Sequence, residues 1–153
     1  IEQIILGAIQ ACEKYLGRAL FTKRLTYNLN KLCEEIELPY PPLVSVESIS
    51  VRQEDGTLSE IPQTNYYVVK ERIPGSVVLK ESVASVSLSA KTSVDPFVVE
   101  YTCGYGDDWC SIPDAIRHAI FVWANDGYQN RVIQPEPPIE VKTLLSLYTI
   151  ERI

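Results

Sequence analysis

Apolar residues at the start of the chain recur at three- and four-residue steps. Ile1, Ile4, Ile5, Ala8, Ile9, Cys12 and Leu16 make one stripe, which predicts an amphipathic helix. Gly17 follows where a left-handed C-terminal cap is expected. From about Leu25 to Thr102 the period changes to two. Leu25, Tyr27 and Leu29 alternate with polar residues, and Pro39, Pro41 and Pro42 break the chain after Ile36–Leu38. Val44, Val46, Ile49 and Val51 predict a longer strand whose phase shifts once between Val46 and Ile49, as a bulge would make it. Asp55-Gly56 is a hairpin signal, with Leu58 and Ile61 on the return strand. Tyr66–Val69, Ser76–Leu79, Val83–Ser89 and Pro96–Tyr101 read as further strands, separated by turn residues such as Pro74-Gly75 and Asp95-Pro96.

The helical period then returns. Ile112, Ile116, Ala119, Ile120, Trp123 and Gly127 form one face, with Gly127 and Asn130 as expected terminators. PEPP, from Pro135 to Pro138, is a stiff extended connector. Pro138 starts a final helix with Val141, Leu144, Leu145 and Tyr148 along one face and Leu147, Ile150 and Ile153 beside it. The order is helix, many strands, helix, helix. This predicts an α+β fold rather than a parallel βαβ one. A helix over 1–24 and two C-terminal helices over 111–153 would pack as a small bundle, with an antiparallel β-rich region over 25–103 inserted between them, all in one domain.

The segment between the last strand and the next helix, VVEYTCGYGDDWCSIPDAIRHAI from Val98 to Ile120, carries the densest local signals. Gly104 and Gly106 permit positive φ at a sharp corner. Ser111 stands three residues before Asp114, an S-x-x-D start in which the serine caps a free amide and the acid favours the positive helix end. Pro113 fits the first turn, where its missing N–H costs nothing.

Composition narrows the function more by exclusion than by assignment. With 46% hydrophobic and 22% charged residues over 153 positions, the chain is an ordinary globular one. No apolar run approaches the roughly 18 residues of a membrane span, and no signal peptide is visible. Met is absent and the chain opens on Ile1 in mid-pattern, so a leading segment is expected to precede it. A net charge of −6 argues against a grip on DNA phosphates, which calls for a basic stripe. The one dense basic run, Lys14, Arg18, Lys23, Arg24 and Lys31, is offset by Glu34, Glu35 and Glu37 just after it.

Three strings resemble one family. These are YLGRAL (Tyr15 to Leu20), LPYPPLVSVESISV (Leu38 to Val51) and the stretch from Tyr101 to Ile120, where Y-T-C-G-Y-G-D-D leads into I-P-D-A-I-R-H-A-I. In order and spacing they resemble the head–tail connector (adaptor) proteins of tailed phages and of phage-derived gene transfer particles. Cys103, Cys110 and the W-C-S stretch before Ile112 depart from that pattern. In the resembled family a further stretch, usually helical, precedes the point where this chain opens. The resemblance implies a ring of copies of this chain, usually twelve, in the neck of a virion or phage-like particle assembled in the bacterial cytoplasm. It implies portal protein on one side and a stopper, head-completion or tail-terminator protein on the other. DNA would pass through the channel without sequence-specific binding, an acidic wall being one past which it slides. No cofactor, membrane or catalytic residue is implied. The final helix (Val141, Leu144, Leu145, Leu147, Tyr148, Ile150 and Ile153) is expected to reach the portal, with loop contacts from Tyr105, Asp107, Asp108 and Trp109.

Asp107 and Asp108 could ligate a divalent cation in a small metal-dependent hydrolase, but a cation of that kind needs more oxygens than two side chains supply, and turn chemistry ahead of a helix accounts for them. The G-Y-G string lacks the third glycine of a dinucleotide fingerprint. Cys12, Cys33, Cys103 and Cys110 contain no C-x-x-C. They are expected as free, mostly buried thiols, and a site from Cys103, Cys110 and His118 matches no zinc spacing. His118, the single histidine, falls off the apolar stripe with no nucleophile motif near it, and Arg117 beside it suits a structural ion pair. Trp123 belongs to the core stripe. Trp109 is either an exposed contact residue or buried under its turn. The final helix is either sandwiched in its own fold or docks on another protein. A monomeric binding module is the third reading.

Overall fold

Two stretches far apart in the chain build one unit, and the residues between them build another. The computed structural model describes residues 1–53, 55–80 and 95–150. Its first unit comprises Ile1–Phe21 and Tyr105–Ile153, its second Thr22–Gly104. The fold is α+β, with three α-helices and two antiparallel sheets among the described residues.

In the first unit, α1 (Glu2–Leu16) ends at Gly17, which adopts φ 63 and ψ 29 and donates its N–H to the Glu13 carbonyl. Only a residue without Cβ takes that conformation at no cost. Helix α2 (Asp114–Asn130) and helix α3 (Ile139–Leu145) complete the unit. Ala8, Cys12 and Leu16 of α1 meet Ile116, Ala119, Ile120 and Trp123 of α2 and Val141 and Leu145 of α3 in one buried cluster. These are the positions of the expected stripes, so Trp123 is core. The outer end of the α1 stripe is not covered, and Ile1 is exposed.

Three details of the helices differ from expectation. Helix α2 is entered from Pro113, which takes the N-cap position. Its carbonyl accepts the amides of Ile116 and Arg117 at 3.0 Å each. Ser111 does not cap it and instead closes a short 3-10 turn, Trp109–Ser111. Gly127 does not end the helix either. It is buried inside α2, where a Cβ would stand 2.8 Å from Ile133 Cγ1, so the glycine serves close packing. Arg131 makes the left-handed cap instead, at φ 58. The final helix is shorter than its apolar pattern. After Leu145 the chain tightens into a 3-10 turn, Ser146–Tyr148, and Thr149 is extended. Ser146 and Thr149 donate their hydroxyls to the carbonyls of Thr143 and Leu145, the local competition by which such residues disfavour further helix.

The second unit holds both sheets. The larger has the order β1–β7–β3–β4, with β1 (Lys23–Leu29), β3 (Leu43–Arg52), β4 (Leu58–Glu60) and β7 (Phe97–Cys103). Central β7 pairs with β1 from Lys23↔Cys103 to Leu29↔Phe97. It is buried at Phe97, Val98, Val99, Tyr101 and Cys103, as its β-branched run requires between two neighbours. The register of β3 against β7 slips between Val46 and Ser48, the expected bulge, and also between Leu43 and Ser45. The Asp55-Gly56 hairpin forms as read, with Gly56 at φ 85 and Asp55 accepting the Thr57 amide. The smaller sheet has the order β2–β6–β5, from β2 (Glu35–Glu37), β5 (Tyr66–Val69) and β6 (Ser76–Leu79). Glu35 accepts the Ser76 hydroxyl at 2.7 Å and the Arg72 guanidinium at 2.9 Å beside it. The expected strand Val83–Ser89 lies outside the described residues.

Candidate functional site

The final helix and the turn before α2 belong to the same unit, and each sorts its residues by depth. Pro138 caps α3, its carbonyl accepting the Lys142 amide at 2.9 Å. Seven residues make about two turns, so only Val141 and Leu145 point fully inward, and both are entirely buried. They are occupied by the chain's own core, which removes them from the expected partner-binding set. Leu144 and Tyr148 pack partly on the same core. Leu147, at 87% exposed, faces solvent, Ile150 is half-buried, and Ile153 lies outside the described residues. Ile139, not among the expected contacts, is 70% exposed at the start of the same helix.

The acidic turn is anchored at both ends. Tyr105 donates its amide to the Leu20 carbonyl at 3.2 Å, and Gly106 forms a parallel bridge with Phe21. Gly106 adopts φ 157, and a Cβ there would lie 2.5 Å from both Cβ and Oγ of Ser111, so the turn closes on a position that only glycine can fill. Asp107 and Asp108 are exposed. Trp109 is half-buried, with its ring meeting that of Phe121 edge-on at 5.6 Å and 69°. The indole is therefore neither a free contact residue nor a core one. Tyr105 accepts a hydrogen bond on its hydroxyl from Arg18.

Two features were not visible as sites in the sequence. The first is Arg18, which belongs to the basic run yet is 6% exposed. The second is an apolar groove between the start of α1 and α2, lined by Ile1, Ile4, Ile5, Phe121, Asn125 and Tyr128. Its signal was the Phe121, Asn125, Tyr128 spacing, a second stripe beside the core stripe.

The remaining candidates have plain placements. Cys12 and Cys103 are buried while Cys33 and Cys110 are exposed, all four as free thiols. The expectation of mostly buried thiols holds for two of them. His118 is exposed, and Arg117 pairs with Asp114 one turn earlier. Among the described residues no three His, Cys, Asp or Glu side chains group as metal ligands would, and no helix is long and apolar enough to cross a membrane.

No family model matches the chain, and no curated protein matches it. Solved structures do. A chain in the neck of a native GTA particle, computed with C12 symmetry, superposes with TM-score 0.77 at 18% identity, covering 99% of this chain and 82% of that one. One in the neck of an empty GTA particle, computed with C6 symmetry, gives TM-score 0.75 at 20% identity over 99% and 78%. One in the virion of a native gene transfer agent (GTA) particle gives 0.74 at 20% identity over 99% and 77%. The fold of this chain, across nearly its whole length, is one that chains in the necks of gene transfer agent particles also adopt.

Proposed function

We propose that this chain is a head–tail connector: a subunit of a ring beneath the portal of a phage or phage-like particle. The ring extends the DNA channel and joins the head to stopper or tail proteins. The observation that carries the reading is the match in fold over 99% of this chain to a chain in the neck of a native GTA particle, computed with C12 symmetry. A closed ring needs two different, mutually complementary faces on each copy. A ring docked on another ring multiplies modest contacts through linkage. The acidic balance of −6 suits a channel that DNA must traverse without adhering. The function is geometric and involves no reaction. Two adjacent acids on an exposed turn fall well short of the six or so oxygens that a divalent cation takes, so a hydrolase built on Asp107 and Asp108 is disfavoured.

Within this reading the three helices act as a small bundle. The partner-facing residues at its end are Leu144, Leu147, Tyr148 and Ile150, with Tyr105, Asp107, Asp108 and Trp109 as loop contacts. The decisive experiment images particles made with and without this chain. Particles lacking it are expected to have necks that end at the portal and carry no tail. Complete necks and attached tails in its absence would overturn the proposal. A test of the portal contact by truncation after Glu140 would also remove Val141 and Leu145 from the core. The exposed Leu147→Asp change is the cleaner probe, and it is expected to abolish portal binding while the chain stays folded.

A further inference from the structure

One cation of the basic run is withdrawn from water. Arg18 lies directly after the Gly17 cap, and its guanidinium joins three pieces of chain distant in sequence. Nε donates to the backbone oxygen of Tyr148 at 2.7 Å. Nη1 donates to the Tyr105 hydroxyl at 3.0 Å. The guanidinium carbon stands 5.9 Å from the centre of the Tyr148 ring, within range of a cation–π contact. A buried cation is costly to desolvate and persists where its donors are used. The backbone atom it holds lies where helical structure stops. Tyr148 closes the last 3-10 turn, and Thr149 leaves it extended at φ −69 and ψ 130.

We infer that Arg18 is a positioning residue that fixes where, and in which direction, the chain leaves its last helical turn at Thr149, so that Leu147 and Ile150 are presented in one set geometry. The use of that geometry rests on the portal-docking reading, whereas the clamp itself does not. The role demands a planar fork. A carbonyl and a hydroxyl are engaged at once by two nitrogens of fixed relative direction, which the single ammonium of lysine cannot reproduce.

The test is residue-resolved amide exchange on the full chain, read at Thr149, whose N–H donates to the Leu145 carbonyl at 3.1 Å. Arg18→Lys and Arg18→Met are expected to speed Thr149 exchange by about tenfold or more, the loss of a charged hydrogen bond, while the Trp123 amide in mid-α2 keeps its wild-type rate. Tyr105→Phe removes one arm of the fork and should give a smaller rise at the same amide. If the arginine variants fail to fold, Tyr105→Phe carries the test, because it deletes only a hydroxyl. Wild-type exchange at Thr149 in Arg18→Lys or in Tyr105→Phe overturns the inference. So does a rise in Tyr105→Phe that is equal at Thr149 and Trp123, since the contact would then hold the core and not the end. Faster Thr149 exchange with undiminished portal binding leaves the clamp standing and removes the portal-docking reading.

Discussion

Burial divides the cysteines into two chemical kinds. Cys12 lies among the helices, and burial pushes its thiol up to about 12 from an ordinary 9.0. A thiol is nucleophilic only as thiolate, so Cys12 and buried Cys103 should resist alkylation at neutral pH while exposed Cys33 and Cys110 react. Mass spectrometry after a brief iodoacetamide pulse should find two modified sites in the native chain and four after denaturation. The same shift sets an alkaline limit. The unfolded chain releases the Cys12 proton near the ordinary value while the folded chain retains it. Stability is therefore undiminished by this group below pH 9 and falls as pH rises from there towards about 12. Denaturant midpoints of Cys12→Ala should fall less steeply than wild type above pH 9. The acidic turn makes a separate residue-scale claim. Gly106→Ala sets a Cβ against Ser111, whose own Cβ is attached to backbone and cannot swing away. It should cost about 1–3 kcal/mol, with part recovered by adding Ser111→Gly in a double-mutant cycle.

Between elements, the seam of α1 and α2 is plugged by one side chain. Ile133 reaches back so that a Cβ on Gly7 would stand 2.6 Å from its Cδ1, and one on Gly127 would stand 2.8 Å from its Cγ1 and 3.6 Å from its Cα. The two sites differ in what can yield. The Cδ1 methyl is the free end of a side chain and can rotate, so Gly7→Ala should be close to neutral, its clash offset by a helix-propensity gain of about 1 kcal/mol. At Gly127 the clash is with Cγ1, which is not the free end of its side chain and whose own Cα is already in contact at 3.6 Å, so Gly127→Ala should destabilise by about 1–3 kcal/mol despite the same gain. Thermal melts of the two variants decide it. The glycine looked like a helix terminator in sequence because its partner Ile133 lies beyond the helix end, where periodicity carries no information. The stripes of α1 and α2 were readable because each buries a periodic set, and strands β5 and β6 because short aromatic and β-branched runs stand between turn residues. The end of α3 was not, since apolar residues continue past it and the helix stops where the hydroxyls of Ser146 and Thr149 take its carbonyls and Arg18 takes that of Tyr148. The second bulge in β3 also left no trace, because it falls at Leu43–Ser45, at the strand's entry after the prolines, where there is little alternation to interrupt.

At the scale of the molecule, the apolar residues of the proposed partner-facing set were readable and their depth was not. Seven apolar residues in the final segment signalled that something is covered. Which of them the chain covers itself depends on α3 having room for two inward positions, and that follows from its length and its capping by Pro138. Arg18 was visible as charge, and its burial was not, because nothing in the basic run marks one member as facing Tyr105 and Tyr148. If the chain closes into a ring, Leu147→Asp should separate two properties. Circular dichroism and melting temperature should stay near wild type, since the residue is 87% exposed. Light scattering of its mixture with portal should show uncomplexed chain, where wild type forms a ring-sized complex.

The two pieces of the helical unit, Ile1–Phe21 and Tyr105–Ile153, are separated by the whole β unit. During synthesis α1 therefore emerges from the ribosome before α2 and α3, the helices that bury its apolar stripe. At about 5–20 residues per second, the intervening chain delays α2 by roughly 5–20 s. Over that interval the nascent chain carries that stripe without its α2 and α3 partners, ahead of a growing β region. Its yield in cells should accordingly depend on translation speed and on holdase capacity far more than the stability of the finished molecule suggests.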